Sequence, residues 1–190
     1  MSIRKVNIKI LLICIVITFL FLMLVSCAKA TIAELTDNEV VDLYKKAKEA
    51  YGWFDLTTIP HDPEKYIEID GVKYFEVIQP GITSKRALAD YLNEFFTEEI
   101  TEGLMTVSSN RYVEQEGKLY VLPADRGTDI FKGAESYEVF RVSDREIKLT
   151  VTVEIYDDPE QRNVREYEQY DFFLEFSDNR WRFKNFESVR

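Results

Sequence analysis

The 190-residue chain holds 34 acidic against 24 basic residues, a formal charge of −10, and 46% of it is apolar. So acidic a balance argues against nucleic acid as a partner and against lying flat on anionic lipid, and it suits solubility or a basic partner. One histidine, His61, and two cysteines, Cys14 and Cys27, leave little for metal or nucleophilic chemistry.

The first 26 residues read as a leader. Arg4, Lys5 and Lys9 precede an apolar run from Ile10 to Val25 broken only by Thr18, near the length of a signal-peptide core and short of the roughly 20 residues a spanning helix needs. Leu24-Val25-Ser26-Cys27 resembles a bacterial lipobox, in which cleavage precedes the cysteine and its thiol carries a diacylglyceryl group. The expected organisation is a lipoprotein signal peptide over residues 1–26, a tether over 27–35 and a single α+β domain over 36–190. The mature protein is then moored by acyl chains at Cys27 to the outer face of the cell membrane. Removing the three basic residues of the leader takes the charge from −10 to −13. Cys14 leaves with the leader and Cys27 is the lipid site, so the domain has no disulfide and its stability must come from its core.

Thr36 with Glu39 forms a capping box, and Val40, Leu43, Tyr44, Ala47 and Tyr51 fall on one helical face that is expected to end at Gly52. Pro60 and Pro63 mark Asp55 to Lys65 as an irregular loop. Asp70-Gly71 and Glu116-Gly117 each sit between short strand-like runs, the signature of two-residue hairpins. Between them, Leu88, Tyr91, Leu92, Phe95 and Phe96 make the apolar stripe of a second helix beginning at Ser84, which restarts near Thr97 and runs to Leu104. From Tyr137 to Phe186 the chain reads as a four-strand meander. Ile147, Leu149, Val151, Val153 and Ile155 alternate with polar residues, Phe172, Leu174 and Phe176 share a face, and Ser177-Asp178-Asn179 turns into Trp181 and Phe183. A curved, mostly antiparallel sheet, built from this meander and the earlier hairpins and covered by two main helices, makes an α+β fold of the cystatin or NTF2-like kind.

No constellation in the chain points to catalysis, a cofactor or a metal. His61 lies in Pro60-His61-Asp62-Pro63 with no nucleophile nearby. Glu98, Glu99 and Glu102 crowd a helix start, where the dipole favours them. Asp157-Asp158-Pro159-Glu160 lacks the glycine and alternating oxygens of a calcium loop and suits a turn between strands. Spacing does not speak to a paired-carboxylate hydrolase, whose two acids can come from anywhere in a chain. The stretch Pro123 to Gly133 stands out: it is long for a connection within one domain and holds Asp125, Arg126, Gly127, Asp129, Phe131 and Lys132, charges around one apolar anchor.

The Ala50-Tyr51-Gly52-Trp53-Phe54 helix end, the Ile82-Thr83-Ser84 entry into the second helix, Gly117-Lys118-Leu119-Tyr120 with Asp125-Arg126-Gly127, and the closing Trp181-Arg182-Phe183 resemble, in order and spacing, the IseA-type inhibitors of bacterial cell-wall D,L-endopeptidases. The resemblance covers most of residues 37–186. It implies an exported protein that blocks the cysteine–histidine cleft of an NlpC/P60 catalytic domain, a cell-wall hydrolase, and that is not itself an enzyme. The family pattern does not require a lipobox. The surface expected to meet the partner is Pro123 to Gly133 together with the Asp55–Lys65 stretch, His61 and Asp62 included. The alternative is a lipid-anchored NTF2-like module that takes a ligand, or acts as a scaffold, on the concave face of its sheet, which would need a deep apolar pocket lined by Tyr and Trp.

Overall fold

A computed structural model describes residues 34–124, 126–127, 129–160 and 162–189, which belong to one unit beginning at Glu34. Cys27 and Asp125, singled out above, lie outside the described residues. Helix α1 (Asp37–Asp55) starts where the capping box predicts: Thr36 Oγ1 accepts from Glu39 N at 3.3 Å, and Glu39 Oε2 accepts from Thr36 N at 2.7 Å. It does not stop at Gly52. Leu56 N and Thr57 N both donate to the Gly52 carbonyl, so the helix closes one turn later. Trp53 explains the extension, because it is 2% exposed and stacks on Tyr91 with centroids 5.5 Å apart. Burying an indole outweighs the roughly 1 kcal/mol that a glycine inside a helix costs.

The expected antiparallel strands form two four-stranded sheets. The first comprises β1 (His61–Ile69), β2 (Val72–Val77), β3 (Tyr112–Gln115) and β4 (Lys118–Val121) in the order β1-β2-β4-β3. Both of its hairpins turn on paired left-handed residues, Asp70 and Gly71 at φ 51° and 80° and Glu116 and Gly117 at 51° and 75°, the backbone that matches strand twist. The Asp55–Lys65 loop is corrected here. Asp55 ends α1 and His61 already begins β1, leaving only Leu56 to Pro60 as connection. Pro63 is tolerated because β1 is an edge strand and its register slips between Asp62 and Tyr66, so the missing N–H breaks no ladder bond.

The second sheet is the expected meander, in the order β5-β6-β7-β8: β5 (Lys132–Ser143), β6 (Glu146–Tyr156), β7 (Val164–Ser177) and β8 (Arg180–Phe183). Ile147, Leu149, Val151, Val153 and Ile155 of β6 are all 4% exposed or less, and α1 lies against this face. Helices α2 (Lys85–Leu92) and α3 (Glu98–Val107) follow the first hairpin. Phe95 and Phe96, expected on the second helix, lie beyond its end, and Phe96 pairs with Phe183 in a short parallel bridge. Phe186 closes the core, stacked on Phe172 at 4.8 Å and set edge-on to Phe96 and Phe183 at 5.1 Å each.

The covered face of the second sheet changes character along its length. Near the β5–β6 turn it is aliphatic and aromatic; toward the other end Tyr137, Tyr170, Glu135, Glu168 and Lys132 replace the apolar side chains. Lys132 Nζ donates to Glu168 Oε2 and to the Tyr170 hydroxyl, both at 2.6 Å, and Lys48 pairs with Glu135. Burial alone would lower the Lys132 ammonium, but these two partners outweigh it and its pKa is raised. Burial and the Glu135 carboxylate push the Tyr137 hydroxyl up to about 12. Burial likewise lifts Tyr44, which packs edge-on to Tyr137 at 5.8 Å.

Candidate functional site

The segment between β4 and β5 is the long connection singled out above, and its root is pinned to the Leu56–Pro60 connection. Arg111, 9% exposed, carries the pinning. Its guanidinium donates to Thr57 O at 2.9 Å, Ala124 O at 3.1 Å, Leu122 O at 3.2 Å and Thr58 Oγ1 at 3.3 Å. A planar fork with five donors in fixed geometry can hold carbonyls of two chain segments at once. Two backbone bonds reinforce it: Leu122 N donates to Arg111 O at 2.8 Å, and Arg126 N donates to Leu56 O at 3.1 Å. Arg126 Nη1 then meets Asp55 Oδ1 at 3.2 Å, while the other Asp55 oxygen accepts from Ser188 Oγ at 2.6 Å.

Beyond this root the segment is exposed. Gly127 adopts φ 74°, a left-handed turn suited to glycine. Asp129 Oδ1 accepts from Phe131 N at 3.0 Å and its carbonyl accepts from Lys132 N at 3.1 Å, so the turn into β5 is closed by the aspartate itself. Ile130 and Phe131 stand 57% and 37% exposed. The result is a short platform with a fixed base and a partly apolar crest.

Beside it, α1, α3 and the chain after β8 enclose an open groove of about 550 Å³. Tyr51 and Phe54 form one wall, Ile100, Leu104 and Val107 the other, and Phe186 the floor. Val107 is 85% exposed, an apolar side chain left at the lip. Arg126 and Lys184 provide positive charge at the rim and Asp55 and Glu99 negative charge. Gly103 sits on the α3 wall, and a Cβ there would meet open space. The groove and the Arg126 platform make one continuous surface. It has the form of a protein-docking face, with apolar centre and charged edge.

The sequence-predicted residues divide on this surface. Arg126, Gly127, Asp129 and Phe131 lie on the platform. Lys132 is turned to the covered face of the second sheet and engaged there. His61 and Asp62 bond locally: His61 Nδ1 lies 3.0 Å from Ile59 O, and Asp62 pairs with Lys65 at 2.9 Å, which holds the Asp62 carboxyl below its usual range. Sequence reasoning missed Arg111, which stands just before β3, and missed the α3 wall. An arginine before a strand carries no local mark of its partners, which lie 11 to 54 residues away. Among the described residues no group of three or more His, Cys, Asp or Glu side chains is placed to hold a metal ion.

The family model described as IseA DL-endopeptidase inhibitor matches residues 31–188. The chain belongs to that family. No curated protein matches it.

Proposed function

We propose that this member of the IseA DL-endopeptidase inhibitor family is an exported lipoprotein that binds NlpC/P60-type peptidoglycan D,L-endopeptidases and blocks them, restraining cell-wall hydrolysis at the membrane surface. The observation that carries the reading is the family match over residues 31–188, joined to a pinned platform beside an apolar groove. A protein that inhibits by occupying a cleft needs a surface already ordered before binding, since ordering it on contact would cost affinity. Arg111 supplies that order. Wall hydrolases act on an anionic polymer, and an acidic inhibitor is steered toward basic partners of this kind.

In this reading Phe131 and Ile130 enter or cover the hydrolase cleft, Arg126 sets the orientation of the platform, and the groove receives an apolar side chain of the hydrolase. The reading as a ligand-binding module is less well supported, because Tyr44, Phe172, Phe183 and Phe186 fill the space between α1 and the sheet where such a ligand would sit.

The direct test is hydrolysis of peptidoglycan by purified D,L-endopeptidases with and without the protein. Inhibition of at least one enzyme is expected, and undiminished turnover across several would refute the proposal. Gly103→Trp locates the site: it adds bulk into open space on the groove wall, replaces a helix-interior glycine, the poorest helix former after proline, and is expected to abolish inhibition while the domain stays folded.

A further inference from the structure

The chain enters the described domain at Glu34, and that entry point is tied down. Arg141 Nη2 donates to Leu35 O at 2.6 Å and to Asp37 Oδ1 at 2.8 Å. Arg141 lies near the end of β5, two residues before the hairpin turn into β6, so the entry point and this hairpin tip share one end of the molecule. The same tip carries Phe140 and Val142, 45% and 54% exposed. The register of β5 on β6 slips between Arg141 and Ser143, so Val142 sits in a bulge next to Phe140 at the tip. Lys148 covers one side of the Phe140 ring with its ammonium 4.9 Å from the centroid. From residue 140 to residue 148 the charges are Arg141, Arg145 and Lys148 against Asp144 and Glu146; Glu34, Asp37 and Glu39 lie at the same end, and Arg141 and Lys148 pair with Asp37 and Asp171.

The platform is at the other end. Helix α1 runs from Thr36 beside Arg141 to Asp55 beside Arg126, about 28 Å at 1.5 Å per residue. Strand β5 returns antiparallel to it, from Phe131 on the platform to the tip. Contacts at Asp37–Arg141 and Lys48–Glu135 fix the two in that alignment.

We infer that the β5–β6 hairpin tip is a lipid-contacting surface: Phe140 and Val142 rest in the headgroup region of the bilayer, with Arg145 beside anionic headgroups, and α1 holds the inhibitory platform away from the membrane. The inference rests on the proposed acylation of Cys27, from which only residues 28–33 separate Glu34, a reach of at most about 21 Å. A whole-molecule charge of this sign disfavours flat attachment to anionic lipid, and an end-on contact through the hairpin tip brings fewer of those charges to the lipid. Two partly exposed apolar side chains give weak affinity by themselves. Tethering makes their contact intramolecular, so weak affinity suffices.

The test uses the full chain, processed in its membrane and moved into vesicles containing phosphatidylglycerol. After residue 27 the sequence has no cysteine, so Phe140→Cys, Val142→Cys and Val107→Cys each place one thiol for an environment-sensitive fluorophore. With a nitroxide quencher on the lipid, loss of emission is expected at positions 140 and 142 and not at 107. Equal emission at all three, with Cys27 shown by mass to carry its lipid, overturns the lipid contact and leaves anchoring intact. A Cys27 without lipid removes the anchoring premise, and the inference falls with it. As a second measurement, tryptic cleavage after Arg145 is expected to slow on vesicles relative to detergent while cleavage after Arg126 does not. Unchanged cleavage at Arg145 counts against the contact.

Discussion

The α1–meander half and the Arg111 corner are held together by different physics. In the first, a helix lies on a long antiparallel sheet and the space between is filled by rings: Tyr44, Phe172, Phe183 and Phe186 contact one another at 4.8 to 6.3 Å. Burial there is collective, with each ring supported by several others, and it depends little on direction. In the second, two irregular segments without regular structure are joined by one guanidinium and a few backbone bonds, so geometry decides everything and a single side chain carries much of it. The comparison teaches that the scaffold and the surface proposed to act are separable: the first can be weakened globally and the second loosened locally.

The largest effect should come from the scaffold. Phe172→Ala removes a fully buried ring and is expected to cost about 3–5 kcal/mol, seen as a lower urea midpoint reported equally by every probe. An unchanged midpoint would show that the ring cluster does not carry the scaffold. Arg111→Met comes next. It leaves the carbonyls of Thr57, Leu122 and Ala124 without this donor, and a loss of about 1–3 kcal/mol is expected. Hydrogen exchange should quicken in residues 122–131 while β6 and β7 keep their protection. Arg111→Lys should not restore it, since an ammonium on a flexible stem cannot span both segments.

Gly133→Ala sharpens the boundary between the two regions. A Cβ at this second residue of β5 would lie 2.2 Å from Tyr156 Cε2, so the Tyr156 ring must move and a cost of about 1–3 kcal/mol is expected. The double variant with Tyr156→Ser should recover most of it, and strict additivity in the double-mutant cycle would show the contact to be irrelevant. The smallest effect concerns pH. Lys132 donates to Glu168 and holds its carboxyl below the ordinary range. The Glu168 contribution is therefore complete above its unfolded value, about 4.3, and disappears as pH falls through the lower folded value. The Lys132 contribution has the opposite sense, present below about 10.4 and lost as pH rises through its raised folded value. Glu168 is 43% exposed, so Glu168→Gln should only flatten the acid limb of the stability curve slightly. A steepened limb would contradict the assignment.

What the sequence made legible follows the same division. Asp70-Gly71, Asp178-Asn179 and Gly117 announce their turns because left-handed backbone selects Gly, Asn and Asp, and the Thr36–Glu39 box announces α1. The alternation of β6 is plain because one face is buried along its whole length. The beginnings of β5 and β7 are not plain. There Lys132, Glu135, Glu166 and Glu168 occupy positions on the covered side, and a polar pair across a sheet leaves no apolar period to read. Pro63 misleads for a different reason: the rule against proline applies to central strands, and edge or centre is decided by the rest of the fold. Of the candidate surface, the exposed platform residues could be named because a long polar connection is conspicuous. Arg111 and the groove wall could not, because their roles exist only once distant segments have met.

Phe186 belongs to both halves, being the floor of the groove and a stacking partner of Phe172. Aromatic rings shift the magnetic resonances of nuclei above and beside them, so an occupant that tilts or displaces Phe186 changes the field felt by protons on Tyr44, Tyr51, Phe96 and Phe172 together. The fold thus contains its own spectroscopic reporter, through which occupancy of the groove can be followed by proton chemical shift without a label on either molecule.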